Sequence, residues 1–259
     1  KSQYGVREFN SQSAELHIPG RAFARLLVAL GAPIGKKTSQ SFAVPSWVFK
    51  SRKWVKRLFL AGFFGAEMSS PKAVSKTAFH SAVVGQNKNG CAVAGGRLFL
   101  LQVAELLKEF GVGVRKISVR EEFANKQGKT YRLRLSISGE RNLLRLWQCI
   151  GFEYNRKRSM LAEVACAYII GKNALVGKRK ALADEIARYR KKGFGLAELQ
   201  EMFVSGIANR RFIERAYYGG KNPRITSTFE SYGTFLEKKL GEIKAAHVIF
   251  DAVVSSDWE

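Results

Sequence analysis

The sequence predicts an α+β fold that ends in a helix-turn-helix-like segment. Two alternating stretches flank a turn-rich tip, Asn125-Lys126-Gln127-Gly128-Lys129, which is the pattern of a hairpin. Around them lie stretches whose apolar residues recur at helical spacing. No repeat or low-complexity linker interrupts the 259 residues, and 46% hydrophobic content suffices for one or two domains with full cores.

In chain order, Tyr4 to Phe9 alternates weakly as a strand. Arg21 to Leu30 carries Phe23, Leu26, Leu27 and Leu30 at helical spacing before Gly31 and Pro33 stop it. Phe42 to Trp47 reads as a strand ending at proline, because Pro45 suits a strand end or turn and would disrupt a helix interior. An amphipathic helix begins near Ser51, closes at Glu67 and terminates by Met68 to Pro71. Ala78 to Val84 is expected as a strand, and Arg97 to Phe110, with Leu98, Leu101, Val103 or Ala104, and Leu107 on one side, as a helix closed by Gly111.

Lys116 to Phe123 and Tyr131 to Ser138 form the hairpin. Alternation places Arg120, Arg132 and Arg134 among its faces; Arg132 and Arg134, two apart, share one. Lys126 and Lys129 lie at its tip. Leu143 to Ile150 reads as a helix stopped by Gly151, Ser159 to Tyr168 as another, and Lys172 to Lys192 as a basic helical continuation through Lys178, Arg179, Lys180, Arg188, Arg190 and Lys191. Composition shifts at Lys191-Lys192-Gly193, where a boundary is expected.

Phe194 to Tyr218 reads as the helix-turn-helix. Leu196, Leu199 and Phe203 give an apolar face, Ser205-Gly206 a turn, and Asn209 to Arg215 a second helix. Phe212, Ile213 and Ala216 would point inward, leaving Arg210, Arg211 and Arg215 outward. In such a motif the N-terminal residues of the second helix meet base edges, which makes Asn209 and Arg210 the expected readers. A helical hairpin that only packs has the same pattern.

Forty-four Lys and Arg against 21 Asp and Glu give a net charge of +23, spread along the chain, and a pI near 10.2. A folded surface of positive potential points first to nucleic acid. No apolar run is expected to reach the roughly 20 residues that span a bilayer, Lys1-Ser2-Gln3 is no signal peptide, and a cytoplasmic protein is expected. Cys91, Cys149 and Cys166 form no CxxC pair, and the histidines are His17, His80 and His247, so buried thiols are expected rather than a disulfide framework or zinc site.

Leu60-Ala61-Gly62-Phe63-Phe64-Gly65-Ala66-Glu67 carries the most information. Ala61, Gly62, Gly65 and Ala66 remove side-chain bulk from one helix surface, so that another helix could approach almost backbone to backbone, with Glu67 where that contact ends. An acid at such a place in a basic chain suggests a metal held against a polyanion. The stretch resembles the LAGLIDADG motif of homing endonucleases, identically at Leu60, Ala61, Gly62 and Ala66 and by class at Phe63, Phe64 and Glu67; Gly65 and Met68 depart from it. Lys36-Lys37-Thr38, Val44-Pro45-Ser46-Trp47 and the motif helix follow the block order of intein-encoded endonucleases. Ile150-Gly151-Phe152 with Asn155-Arg156-Lys157-Arg158 resembles a segment of their second lobe, and the chain is most similar to the endonuclease region of inteins in archaeal RNA-splicing ligases.

The resemblance implies LAGLIDADG-like αββαββ lobes that form a saddle over double-stranded DNA, and divalent metal, usually Mg²⁺, bound by the motif acid for phosphodiester cleavage. It makes Glu67 the metal-binding and catalytic acid, Lys37 and Lys157 the candidate catalytic cations, and Gln86 or Asn87 possible positioners of water. The expected divisions are residues 1–50 as a partial first lobe, 51–192 as a second lobe with its basic extension, 193–246 as the DNA-binding segment, and 247–259 as a strand resembling the return to a splicing domain. Pro223-Arg224-Ile225 matches the family after the helix-turn-helix. A first motif helix is expected upstream of Lys1, which would give a pseudo-twofold monomer; without it, weak cleavage or nicking is expected. Splicing is not expected, since the chain starts with Lys1 and ends at Trp258-Glu259 without a His-Asn pair. Two alternatives share the charge and fold: a non-cleaving LAGLIDADG/helix-turn-helix regulator, against which Glu67 speaks, and an RNA-binding maturase, which phosphate binding alone cannot distinguish.

Overall fold

The computed structural model describes residues 7–9, 15–17, 20–125, 128–220, 225–226 and 228–245. The expected terminal strand at 247–259, Pro223-Arg224 and Lys126 lie outside them. The described residues are mixed helix and strand, in two compact units: 1–60 with 83–136, and 61–82 with 137–259. This differs from linear cuts at 50, 192 and 246.

In the first unit, β1 (Arg7–Phe9) pairs antiparallel with β2 (Glu15–His17). α1 (Arg21–Ala29) lies on its expected span, and Gly31, at φ 98°, turns the chain out of it. A Cβ at Gly31 would come within 2.7 Å of Pro45 Cγ, so the turn also needs glycine for space. The expected strand at Phe42 to Trp47 is corrected: residues 42–45 are irregular, and Ser46–Lys50 is the short helix α2. Pro45 stands at the helix entrance, where its lack of an N–H costs nothing, while the Val44 N–H goes to Gln102 Oε1 at 2.8 Å instead of to a ladder.

The sheet of this unit has the order β3 (Ala82–Asn89), β5 (Gly128–Ile137), β4 (Lys116–Asn125). β3 starts later than expected and runs longer. α4 (Val93–Glu109) packs on one face; a Cβ at Gly96 would lie 2.8 Å from Lys88 Cγ and 3.2 Å from Leu133 Cδ2. Leu100, Val103, Leu106, Leu107, Leu133 and Leu135 are buried there. Alternation along β5 turns Arg132 and Arg134 to the other face. α3 (Lys53–Glu67) begins in this unit and ends in the second.

The second unit is organised around α6 (Arg156–Lys191), one helix of 36 residues where two segments were expected. At 1.5 Å rise per residue it is roughly 54 Å long. α5 (Glu140–Cys149) and α9 (Tyr232–Ala245) pack along it, with Phe79 in edge contact with Trp147, Tyr168 and Tyr232, and Tyr168 with Tyr232. Farther along, α7 (Leu196–Phe203) and α8 (Arg210–Tyr217) close a second core of Ile186, Leu199, Ala208, Phe212, Ile213 and Ala216. Ile186 belongs to α6, so α7 and α8 share their core with the helix before them, and packing runs on through Lys192.

Among the described residues, Gly90–Glu109 and Arg156–Lys191 are long and apolar enough by length and composition to cross a membrane, a test that the core helix of a folded domain passes equally. Each buries one stripe, Leu100, Val103 and Leu107 in the first and Ala165, Ile169 and Ile186 in the second, as a core helix does. The expected burial of the thiols holds for Cys166 only; Cys91 and Cys149 are exposed.

Candidate nucleic-acid interface

The hairpin register brings the first group of cations together. Arg120 stands opposite Arg132 and Ser118 opposite Arg134, so all three arginines share one face. Arg120 and Arg134 are exposed and have no carboxylate partner among the described residues. Arg132 is half-buried, donates to Asn87 Oδ1 at 3.4 Å and pairs with Glu122. Glu122, two residues beyond Arg120, lines the same surface, and the register shifts at a bulge between Glu121 and Phe123. Lys129 pairs with Glu121 at 3.0 Å, which raises its pKa. Two of the expected contact cations are therefore already partnered by acids, and Arg120 and Arg134 carry the outward charge.

β3 separates the two candidate water-positioning amides. Asn87 lies on the arginine face, whereas Gln86 is turned the other way with both amide atoms enclosed and without a hydrogen-bond partner. Lys88, on the same side as Gln86, is 1% exposed. Its Nζ donates to the carbonyls of Lys37 at 2.5 Å and Gln40 at 2.9 Å and stands 3.9 Å from the centre of the Phe42 ring. Burial, then the charge of Lys37, push the Lys88 pKa below its ordinary value. Lys37 keeps an exposed side chain on a backbone held by Lys88. Sequence reasoning selected Lys37 and missed the buried cation that fixes it.

In the second unit, the motif helix ends with Glu67 exposed. Its small residues do admit a close neighbour, but that neighbour is the turn at Glu153 to Asn155 rather than a helix. A Cβ at Gly65 would collide with the Glu153 carbonyl oxygen, and the Glu153 N–H donates to the Ala61 carbonyl at 3.0 Å. Arg158 Nη1 donates to Phe64 O at 3.1 Å and Gly65 O at 2.5 Å, placing its charge on the carbonyl end of the helix. Lys157, the expected cation, is exposed one residue away. Spacing alone could not choose between them. Tyr154, 98% exposed, adopts φ 57° beside Gly62, a sparsely populated conformation for a side chain of its size.

Glu67 supplies one carboxylate, and the described residues contain no cluster of three or more His, Cys, Asp or Glu. Mg²⁺ is commonly held by one or two carboxylates together with water and substrate phosphates. Glu67 fits that pattern as one ligand, with the remaining oxygens left to water and a phosphate-bearing partner.

On α8, Phe212, Ile213 and Ala216 are buried while Arg210, Arg211 and Arg215 are exposed. Asn209 has a second role: its Oδ1 accepts from the Phe212 N–H at 2.9 Å and caps the helix. Residues 204–209 form the turn, closed by an antiparallel bridge between Ser205 and Ala208. Arg179 of α6 reaches this turn, donating to the Ile207 carbonyl, with its guanidinium carbon 4.1 Å from the centre of the Phe212 ring. Arg179 and Lys172, members of the expected basic helical run, are 7% and 8% exposed. Lys172 donates to Thr77 O at 2.9 Å and pairs with Glu140.

No family model matches the chain. It is 34% identical over 240 residues to a tRNA-splicing ligase RtcB of Pyrococcus furiosus, covering 92% of this chain and 24% of that protein. The tRNA-splicing ligase RtcB of Methanopyrus kandleri is 32% identical over 91% of this chain and 23% of its own length. A DNA-directed RNA polymerase subunit Rpo1N of Methanocaldococcus jannaschii is 28% identical over 60% of this chain and 11% of that protein. The chain thus spans about a quarter of the length of the ligases it matches.

Proposed function

We propose that the chain is the endonuclease region of an intein, a LAGLIDADG-type homing endonuclease that binds double-stranded DNA and cleaves it with a divalent metal. One observation carries this reading: the same chain matches a minor part of a tRNA-splicing ligase and a minor part of an RNA polymerase subunit. Matches covering 92% and 60% of one chain must overlap, so the shared residues occur within two differently named proteins, a ligase and a polymerase subunit. A segment of that kind behaves as an insertion and not as a piece of either host's own machinery. The ligase activity named for those relatives is accordingly not carried over.

The motif at Leu60 to Glu67, the basic strand face and the helix-turn-helix support the nuclease reading within that class. Arg120 and Arg134 on the strands, and Arg210, Arg211 and Arg215 on α8, would bind phosphate and base edges; Arg pairs bidentately with guanine in the major groove. Arg158 would hold the end of the motif helix in place for Glu67. When bound, the metal would supply Lewis-acid activation of water and stabilise the leaving oxygen.

The test is selection of duplexes from a random library with the full chain, followed by a nicking assay on the enriched sequence in Mg²⁺. Native protein should retain a defined duplex and nick it, and Glu67→Gln should keep binding within a few-fold while nicking is lost. Equal nicking by both proteins would remove Glu67 from the site. Duplex binding without nicking by the native chain would favour the regulator, and enrichment of RNA over duplex DNA the maturase.

A further inference from the structure

Beside α8 lies a cleft of about 380 Å³ whose walls include Arg179, Arg211 and Arg215 together with Ser205, Thr226 and Thr228, the Thr228 hydroxyl donating to that of Thr226 at 3.1 Å. No carboxylate is among its described lining residues. We propose that this cleft is a phosphate seat, which takes one phosphodiester of a bound nucleic-acid strand with the adjoining sugar in the remaining volume. The proposal rests on the nucleic-acid reading above and assigns α8 a backbone clamp bordered by Asn209, one of the two expected base readers.

Three guanidinium groups on one wall set, with hydroxyl donors and no acid, repel one another until an anion arrives. Guanidinium and phosphate form charge-assisted, frequently bidentate pairs, and hydroxyls donate to the remaining oxygens. The buried member supplies an independent sign. Arg179 is 7% exposed, Nη1 is committed to the Ile207 carbonyl, and its Nε is enclosed with no hydrogen-bond partner. A buried donor without a partner is costly, and an anion over this wall would offset the buried charge.

The rim is also shaped. A Cβ at Gly220 would collide with Arg215 Cγ, so the chain leaving α8 closes on the stem of Arg215 and directs it along the cleft wall. The volume, too large for a phosphate alone, falls within the range of small-ligand pockets, about 300–1,000 Å³. It suits a phosphate with a sugar attached.

The test uses the isotopically labelled full chain and three probes: inorganic phosphate, a thymidine dinucleotide with one internal phosphodiester, and the selected duplex. The dinucleotide should shift the side-chain Nε–H resonances of Arg179 and Arg215, and Arg215→Gln should weaken that binding at least tenfold. On the duplex, Arg215→Gln and, separately, Arg211→Gln should each lower the slope of log affinity against log salt by about one. Gly220→Ala, which alters no charge, should act in the same direction as Arg215→Gln. Unmoved Arg179 and Arg215 signals with the dinucleotide, or unchanged salt slopes in both variants of a chain that binds duplex, would overturn the seat while leaving the nucleic-acid reading intact. Shifts with inorganic phosphate but not the dinucleotide would also overturn it, as an anion site closed to a strand. Dinucleotide shifts in a chain that binds no duplex would keep the seat and remove the duplex reading.

Discussion

Asn155 ties the motif helix to the start of α6: its Nδ2 donates to the Gly65 carbonyl at 2.8 Å, while its Oδ1 accepts from the Arg158 N–H at 3.1 Å. One side chain thus binds the carbonyl end of one helix and caps the amide end of the next. The link needs the backbones at Gly65 and Glu153 in direct contact, which a side chain at position 65 would prevent.

Two glycines of the motif should therefore respond oppositely to alanine. Gly62→Ala places a Cβ 3.9 Å from Tyr154 Cε2, ordinary contact, and should be neutral or gain up to about 1 kcal/mol from helix propensity. Gly65→Ala drives a Cβ into the Glu153 carbonyl and should lose about 1–3 kcal/mol despite the same propensity gain. Urea denaturation of both variants measures the difference. Equal stability would mean that the turn at Glu153 to Asn155 is not packed on the helix.

Lys88 predicts a pH effect. Its pKa in the folded chain lies below the ordinary 10.5, chiefly through burial, so between the two values the unfolded chain binds more protons. Stability contributed through this group should then rise as pH climbs towards 10.5, because the cost of burying the charge disappears once the folded amine is neutral. Lys88→Met should lose that rise. Denaturation series for both proteins across the alkaline range decide it, and parallel curves would mean that Lys88 does not titrate differently in the folded state.

Such a residue also marks the limit of what the sequence discloses. Periodicity located α1, α4, the hairpin and the inward set Phe212, Ile213 and Ala216, because those patterns depend on neighbours three, four or two residues apart. The same periods put Lys88 on the face of Ala82 and Val84, and Lys172 and Arg179 on the stripe of Ala165 and Ile186, so that only their charge argues for an outward position. Their burial depends on carbonyls at Lys37, Gln40, Thr77 and Ile207, from 28 to 95 positions away, and no local window contains that information. Pro45 was legible as a break but not as a helix entrance. Gly171 and Gly177 lie inside α6 with open space about them, so their punctuation did not stop the helix that tertiary packing sustains.

The strand face and α8 should contribute to DNA binding in different ways. Arg134 is exposed and without a carboxylate partner among the described residues, while Arg132 is paired with Glu122. Arg134→Ala should therefore weaken duplex binding more than Arg132→Ala, where two equally exposed and unpaired arginines would lose alike. Arg210→Ala should cost about 1–3 kcal/mol, mainly on the selected sequence, whereas loss of a phosphate contact weakens all duplexes alike. Binding titrations on selected and scrambled duplexes, with footprints, distinguish these effects. An unchanged sequence preference in Arg210→Ala would remove base reading by that residue.

Asn209 allows its cap and its proposed reading of bases to be measured apart. Asn209→Ala removes the acceptor for the Phe212 N–H and should cost about 0.5–2 kcal/mol of stability. Asn209→Asp keeps an acceptor at the helix start, where negative charge is favourable, so folding should be nearly unaffected. On duplex DNA the new carboxylate faces phosphates and base acceptors and has lost the amide donors that pair with adenine. Binding by the Asp variant should accordingly fall at least tenfold with little change in denaturation midpoint. If it binds as tightly as the native chain, Asn209 is a cap and nothing more, and base reading on α8 begins at Arg210.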